Sequence, residues 1–332
     1  MKKIEEVKLK SIRRTSMRKN INTEHIEGRV YQHDLAIKES GPTSKKPGTV
    51  YIAGNLDIAV DEEGLNVITL HFTYVTETYS KSGKTNATFG ELKKIIEGGK
   101  TWVADGKDDA TKVKVDASLA LNDFYGQDDQ LISAKVNEGS FVTIVSELCP
   151  ENERNTFTTD MIITNVNHVD ADPERHIDAD YTVLKGAIFN FRNEILPVDF
   201  TVRNPAGMKY FEDLGITPSE PLYTKVWGRV NCMTSTTVVN EESAFGESAV
   251  KTYERKSKSW DVTGTAKVAY EFGDEQVMTA AELTTAMQNR QVYLADVKKR
   301  ADEYKAQKAA GGNAIPSAAP AATTAKTGEF HF

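Results

Sequence analysis

The run Leu222-Tyr223-Thr224-Lys225-Val226-Trp227-Gly228-Arg229-Val230-Asn231 has the residue types and spacing best suited to binding chemistry. Side chains alternate between the two faces of a strand. One face then carries Tyr223, Lys225, Trp227, Arg229 and Asn231. The other carries Leu222, Thr224, Val226, Gly228 and Val230, which suit a core. A large aromatic between cations on an outward face suits single-stranded nucleic acid. The cations attract phosphates, and the aromatic offers an unstacked base a platform worth about 1–3 kcal/mol. The plainer reading is that Trp227 is simply buried and its charged neighbours are solvated.

A second basic stretch runs from Lys251 through Tyr253, Arg255, Lys256 and Lys258 to Trp260, and reads as a hairpin with Tyr253 and Arg255 on one face. Arg29, Tyr31 and His33 alternate on one face of an earlier strand, with Lys38, Lys45 and Lys46 nearby; Lys112 and Lys114 share another. The candidate nucleic-acid-binding set is therefore Tyr223, Lys225, Trp227, Arg229, Lys251, Tyr253, Arg255, Lys256, Lys258, Arg29 and Tyr31. Tyr223, Trp227 and Tyr253 are the stacking candidates, and the cations are assigned to phosphates.

Motifs for catalysis fail when tested. Ser82-Gly83-Lys84-Thr85 ends like a phosphate-binding loop, but the loop needs a glycine five positions before Gly83, and Thr78 stands there. The histidines show no ligand spacing, and Cys149 and Cys232 are far apart with no CxxC partner. Asp170, Asp172, Asp178 and Asp180 offer oxygen donors, but a calcium loop counted from Asp170 would need Gly and Glu where Arg175 and Tyr181 stand. The expectation is a non-enzymatic chain with no catalytic residues, no metal and no cofactor. An enzyme with an unrecognised carboxylate site stays as a third option.

The elements that must position these residues are mostly strands. Ile26–Ile37, Thr49–Val60 and Leu65–Tyr79 are rich in β-formers; Leu70, Phe72 and Tyr74 share a face by period two. A helix over Thr88–Glu97 stops at Gly98-Gly99. Strands resume at Thr111–Leu121, Ser140–Leu148 and Phe157–Asn167. Three strands, a helix, then further strands is the order of an OB-fold, a five-stranded Greek-key barrel. After an acidic stretch, Tyr181–Arg192, Leu196–Arg203, a helical Gly207–Leu214, Pro221–Met233 and Ala249–Tyr270 echo that order. Thr279-Ala-Ala-Glu282 fits a capping box. Leu283, Met287, Arg290, Leu294, Val297, Ala301 and Tyr304 then follow at heptad spacing, interrupted by Arg290. That stripe either pairs with another helix or lies on the second barrel, and the second is expected.

The predicted fold class is mainly β: tandem OB-like β-barrels with a C-terminal α-helix and a disordered tail. The expected divisions are a basic N-terminal arm at 1–22, a first β-domain at 23–168, an acidic linker at 169–180, a second β-domain at 181–275, a helix at 276–308 and a flexible tail with an aromatic tip at 309–332. The net charge of -7 counts against coating of nucleic acid by bulk positive charge. It leaves room for a local basic groove, because salt limits each charge to about 10 Å. No apolar run long enough to span a membrane and no secretory leader is read, so a cytoplasmic protein is expected.

The stretch from Pro221 to Gly264, with YTKVWGRVN and SAFGESAVKTYERKSKSWDVTG, resembles single-stranded DNA-binding or replication-associated proteins of tailed bacteriophages. The helix RQVYLADVKKR (290–300) adds to the resemblance. The resemblance implies coating of single-stranded DNA during phage replication or recombination, in the host cytoplasm. The tail resembles those of bacterial single-stranded DNA-binding proteins, a tether ending in Phe332, but those tips are strongly acidic and this one has only Glu329. Further partners to consider are a second copy, through the arm or the helix, and a replication protein at the tail tip. The rival function is a virion structural or assembly protein, which predicts self-assembly without nucleic acid.

Overall fold

The computed structural model describes residues 20–79, 82–126, 128–175, 177–241, 249–272 and 278–309, with the backbone alone at 173, 235–241, 249–255 and 309. The basic arm as far as Lys19, the tail beyond Ala309, and the side chains of Lys251, Tyr253 and Arg255 lie outside the described residues.

Strands β1 (Asn22–His33), β2 (Ala36–Glu39), β3 (Val50–Ala59) and β4 (Val67–Thr76) come first. Helix α1 (Ala87–Gly98), a single turn α2 (Trp102–Asp105), and strands β5 (Lys112–Tyr125) and β6 (Leu131–Ile144) follow. β1 pairs with β3 and β5, β3 with β4, and β5 with β6, all antiparallel; a short parallel contact of β4 with β6 closes the ring. Helix α1 sits between the third and fourth strands of this barrel. Its Phe89, Leu92 and Ile95 recur at helical spacing and plug the core, and Asn86 caps it through Thr88 N–H at 3.1 Å. This is the OB-fold order.

The same order repeats. Strands β7 (Asn155–Val169), β8 (Tyr181–Phe189) and β9 (Ile195–Val202), helix α3 (Pro205–Asp213), and strands β10 (Leu222–Glu241) and β11 (Ala249–Thr265) form the second barrel. β7 pairs with β8 and β10, β8 with β9, and β10 with β11; one parallel contact, Thr201 opposite Asp261, closes it. Helix α4 (Ala280–Ala309) ends the described chain. The architecture is mainly β, two OB-like barrels in tandem with a C-terminal helix.

The barrels join through their first strands. β1 and β7 pair antiparallel, with Glu24 opposite Phe157, so that all strands form one sheet and one hydrophobic core runs through both rings. Each barrel also sends its last hairpin toward the other. Thr234 N–H of β10 bonds Leu65 C=O at 2.9 Å, and Lys135 of β6 reaches Asp199 of β9 at 2.5 Å.

Three expectations change. β7 is the first strand of the second barrel, because its partners are β8 and β10. The boundary therefore falls between β6 and β7, and 169–180 is a connection within the second barrel rather than a linker between domains. The sixth strand begins at Leu131 and ends at Ile144, whereas local pattern points to Ser140–Leu148. Its polar first half, LISAKVNEG, takes its conformation from pairing with β5 rather than from local propensity.

The helix meets the expected geometry. Thr279 N–H bonds Glu282 Oε2 at 2.8 Å, and Glu282 N–H bonds Thr279 Oγ1 at 3.3 Å, the reciprocal pattern of a capping box. Leu283, Ala286 and Met287 pack on the second barrel. Arg290, the apparent interruption, forms a buried two-pronged pair with Asp123 at 2.6 and 2.7 Å. Among the described residues, no helix is long and apolar enough to cross a membrane.

Candidate functional site

In an OB-fold the outer face of the second and third strands, with the adjoining loops, is the ligand-binding face. In the first barrel those strands are β3 and β4. Alternation buries Ile52, Leu56, Ile58, Ile68, Leu70 and Phe72 inward. It turns Tyr51, Asn55, Asp57, Thr69, His71 and Thr73 outward, where they line a cleft of about 1060 Å³. His33, Asp34 and Lys38 from the β1–β2 region and Glu138 of β6 complete its walls, and Lys258 of β11 reaches it from the second barrel.

Two glycines shape this cleft. Gly54 of β3 holds φ +140° at a register shift where β4 carries the extra residue, and a Cβ there would lie 2.7 Å from Asp34 C=O. Gly139 of β6 lets the Phe72 ring sit on bare backbone; a Cβ would lie 2.3 Å from that ring.

At one end Tyr51 and Tyr74 pack with ring centroids 4.5 Å apart. Tyr74 is half exposed, and its hydroxyl lies 3.0 Å from Ser40 Oγ. Burial pushes the His71 imidazole below its ordinary pKa; Lys258 acts in the same direction, and Asp57 and Asp34 oppose it. Burial lowers His33 as well, against the charge of Asp34. Both shifts favour the neutral ring. The carboxylates are partly occupied: Asp34 accepts from the backbone N–H of Asn55 and from its Nδ2 at 2.9 Å, and Asp57 accepts from Gln32 Nε2 at 2.8 Å. Asp57 Oδ1 and His33 Nδ1 are buried and have no hydrogen-bond partner among the described residues.

The sequence-predicted residues are divided among several surfaces. Lys258 lines the cleft and Lys256 is exposed beside it on β11. The faces of β10 are as read: Thr224, Val226, Gly228 and Val230 point inward, and Trp227 points outward, 39% exposed. The indole rests on the bare backbone of Gly264, where a Cβ would lie 2.5 Å from Nε1. Lys225 and Arg229 flank it half-buried, and Arg229 Nη1 donates to Asn155 Oδ1 at 3.0 Å.

Tyr223 departs from its expected exposure. It lies on the outward face, but the segment before α4 folds over it. Its ring packs against Tyr270 at 5.1 Å and Phe272 at 5.5 Å, and its hydroxyl donates to Asn20. It presents no open face for stacking. Trp260 is buried too, donating from Nε1 to Glu24 Oε1 at 2.8 Å. Arg29 and Tyr31 lie outside the cleft. Arg29 Nε bonds Lys107 C=O at 3.1 Å and its guanidinium faces Glu62 at 3.7 Å, while Tyr31 packs near Trp102. Lys107 and Arg154 also converge on Glu62, and their hydrogen bonds hold its carboxyl down at about 2.

Sequence reasoning missed Tyr51, Tyr74 and His71. For Tyr51 and His71 the signal was available: once the OB order is accepted, the outward residues of the second and third strands become the first candidates. Period two puts Tyr74 with the inward Leu70 and Phe72, but a register shift gives β4 one extra residue opposite Ile52–Gly54 and turns Tyr74 outward beside Tyr51.

No curated protein matches the chain. Among solved structures, a crystal structure of a deletion mutant of the single-stranded DNA binding protein from Thermus aquaticus is similar at 9% identity and a TM-score of 0.44. The match covers 77% of this chain and 98% of that one. A family model matches residues 20–300, most of the chain, and by that match this protein, a tandem of OB-like barrels with an open first face, belongs to the YorF family.

Proposed function

We propose that this protein binds single-stranded DNA, without catalysis and with little sequence preference, in the cleft of the first barrel. The observation that carries the reading is the open outer face of β3 and β4, with an aromatic pair at one end and Lys38 and Lys258 on its walls. Bases face inward in this reading. The floor offers Asn55, neutral His71 and the acceptor oxygens of Asp57 and Glu138, which suit base edges and repel phosphates. The phosphates run along the rim, within reach of Lys38, Lys258 and Lys256. The exposed Trp227 between Lys225 and Arg229 is a secondary platform on the second barrel. The role in phage DNA replication or recombination implied by the sequence resemblance belongs to this proposal.

The test is titration of labelled oligo-dT and of a duplex of equal length across salt concentrations. The expected result is a strong preference for the single strand, with affinity falling as salt rises through counterion release. Equal binding to both forms, or assembly into large particles without DNA, would overturn the reading; the second outcome would favour the virion role.

A further inference from the structure

On the opposite side of the β1–β5 pairing from the barrel core, an imidazole, a thiol and two carboxylates converge. His25 and Glu27 lie two residues apart on β1, so both point away from the core that holds Ile26. The nearer approach of the two side chains is 3.3 Å, between His25 Nε2 and Glu27 Oε2. Cys149, on the segment between β6 and β7, completes a set whose donor atoms all lie within 4.8 Å of one another.

Cys149 is held in place by both of its backbone groups. Its N–H donates to Glu27 Oε1 at 2.5 Å, and its C=O accepts from Arg154 Nε at 2.8 Å. Arg154 is itself tied to β1, since Glu27 N–H bonds its C=O at 2.7 Å. The fixed Oε1 leaves Oε2 of a nearly buried Glu27 aimed at the imidazole. The other ring nitrogen of His25 faces a fourth group, Asp116 Oδ1, at 3.8 Å.

We infer that His25 Nε2, Glu27 Oε2 and Cys149 Sγ form a binding site for a divalent transition-metal ion, zinc by its donor chemistry. Thiolate and imidazole donors select against magnesium and calcium, which take oxygen ligands. Three protein ligands with a fourth position for water is an established zinc arrangement. A carboxylate hydrogen-bonded to the far nitrogen of a ligating histidine fixes its tautomer and raises its basicity; Asp116 Oδ1, now 3.8 Å from Nδ1, would take that role by closing about 0.8 Å on ligation. Charge also closes: one thiolate and one carboxylate neutralise a divalent ion in a half-buried place. On ligation the thiol proton of Cys149 is released to solvent and the metal–sulfur bond takes its place.

The experiment uses the full chain, freed of metal by chelation and then titrated with zinc by calorimetry and with cobalt(II) by absorption. The expected result is one ion per chain and, with cobalt, a thiolate-to-metal charge-transfer band with tetrahedral d–d bands. Cys149→Ser should abolish the charge-transfer band, and His25→Ala should abolish tight binding. Asp116→Asn, a change at a mostly exposed side chain that leaves the fold intact, should weaken zinc by about 10–100-fold. The inference is overturned if the chain takes up no zinc, if cobalt binds without a thiolate band, or if Asp116→Asn and Cys149→Ser both bind as the parent does.

Discussion

The two barrels share one strand order but differ in what covers the equivalent face. In the first barrel the outer face of β3 and β4 is a cleft. In the second barrel the outer face of β8 and β9 is occupied. Ala187, Phe189 and Ile195 lie under Met278, Leu283 and Ala286 of the C-terminal segment. Asp199 is bound by Lys135, which the first barrel supplies. The fifth strand of each barrel thus sends a lysine toward its neighbour. Lys135 arrives at a carboxylate. Lys258 arrives at the cleft and has no ion-pair partner among the described residues. Duplicated topology has been divided between a face kept for a ligand and a face used for structure.

The largest effect that could break this comparison is expected at the anchor of α4. Arg290 and Asp123 are nearly buried, and Ser133 Oγ also donates to Asp123 at 2.6 Å. Arg290→Ala would leave a buried charge uncompensated, which costs about 3–5 kcal/mol. Urea denaturation should read that loss. Asp123 stands on β5 of the first barrel, so a loss under about 1 kcal/mol, the scale of a surface pair, would show that this cross-barrel anchor does not hold α4 over the face it covers.

The seam between the barrels should respond to pH. Glu24 is fully buried, and burial raises its carboxyl to about 7 against the opposing hydrogen bond from Trp260. The folded state then holds a proton that the unfolded chain releases at about 4.5. Stability from this group is fully present below pH 4.5 and falls as pH rises toward 7. The total change is about 3 kcal/mol. Glu24→Gln should flatten that slope and make the chain more stable than its parent at pH 8. An unchanged slope in thermal melts from pH 5 to 8 would assign the dependence elsewhere.

Smaller effects sharpen the functional side. Tyr51→Ala or Tyr74→Ala should weaken oligo-dT binding by about 1–3 kcal/mol, the value of one stacked base. Trp227→Ala should cost less and leave the fold intact, since its indole is an exposed ring resting on Gly264. The reverse order would move the interface to the second barrel. Lys258→Gln is expected to be mildest, lowering the slope of log affinity against log salt by about 0.7, one phosphate contact on a single strand.

Much of this was legible in local pattern. The alternation along 222–231 identified the inward face of β10, and the Thr279–Glu282 cap identified the start of α4. The candidate site was less legible. Tyr223 and Trp227 share a face by spacing, yet one is buried and the other exposed, because the covering segment lies some fifty residues downstream. The His25–Glu27–Cys149 cluster has no spacing signature, since its members come from segments separated by a whole barrel.

Local pattern alone placed most strands and helices, the inward face of β10 and the repeated order of elements, but not the first half of β6 or the outward turn of Tyr74. Those properties follow from side-chain period, turn chemistry and capping, which act over a few residues. Tertiary structure alone decided that β7 opens the second barrel, that the two first strands join, that α4 covers one face, and that Lys258 reaches the other. Each of these depends on contacts between distant segments, and a residue's local spacing carries no record of what another part of the chain will lay across it.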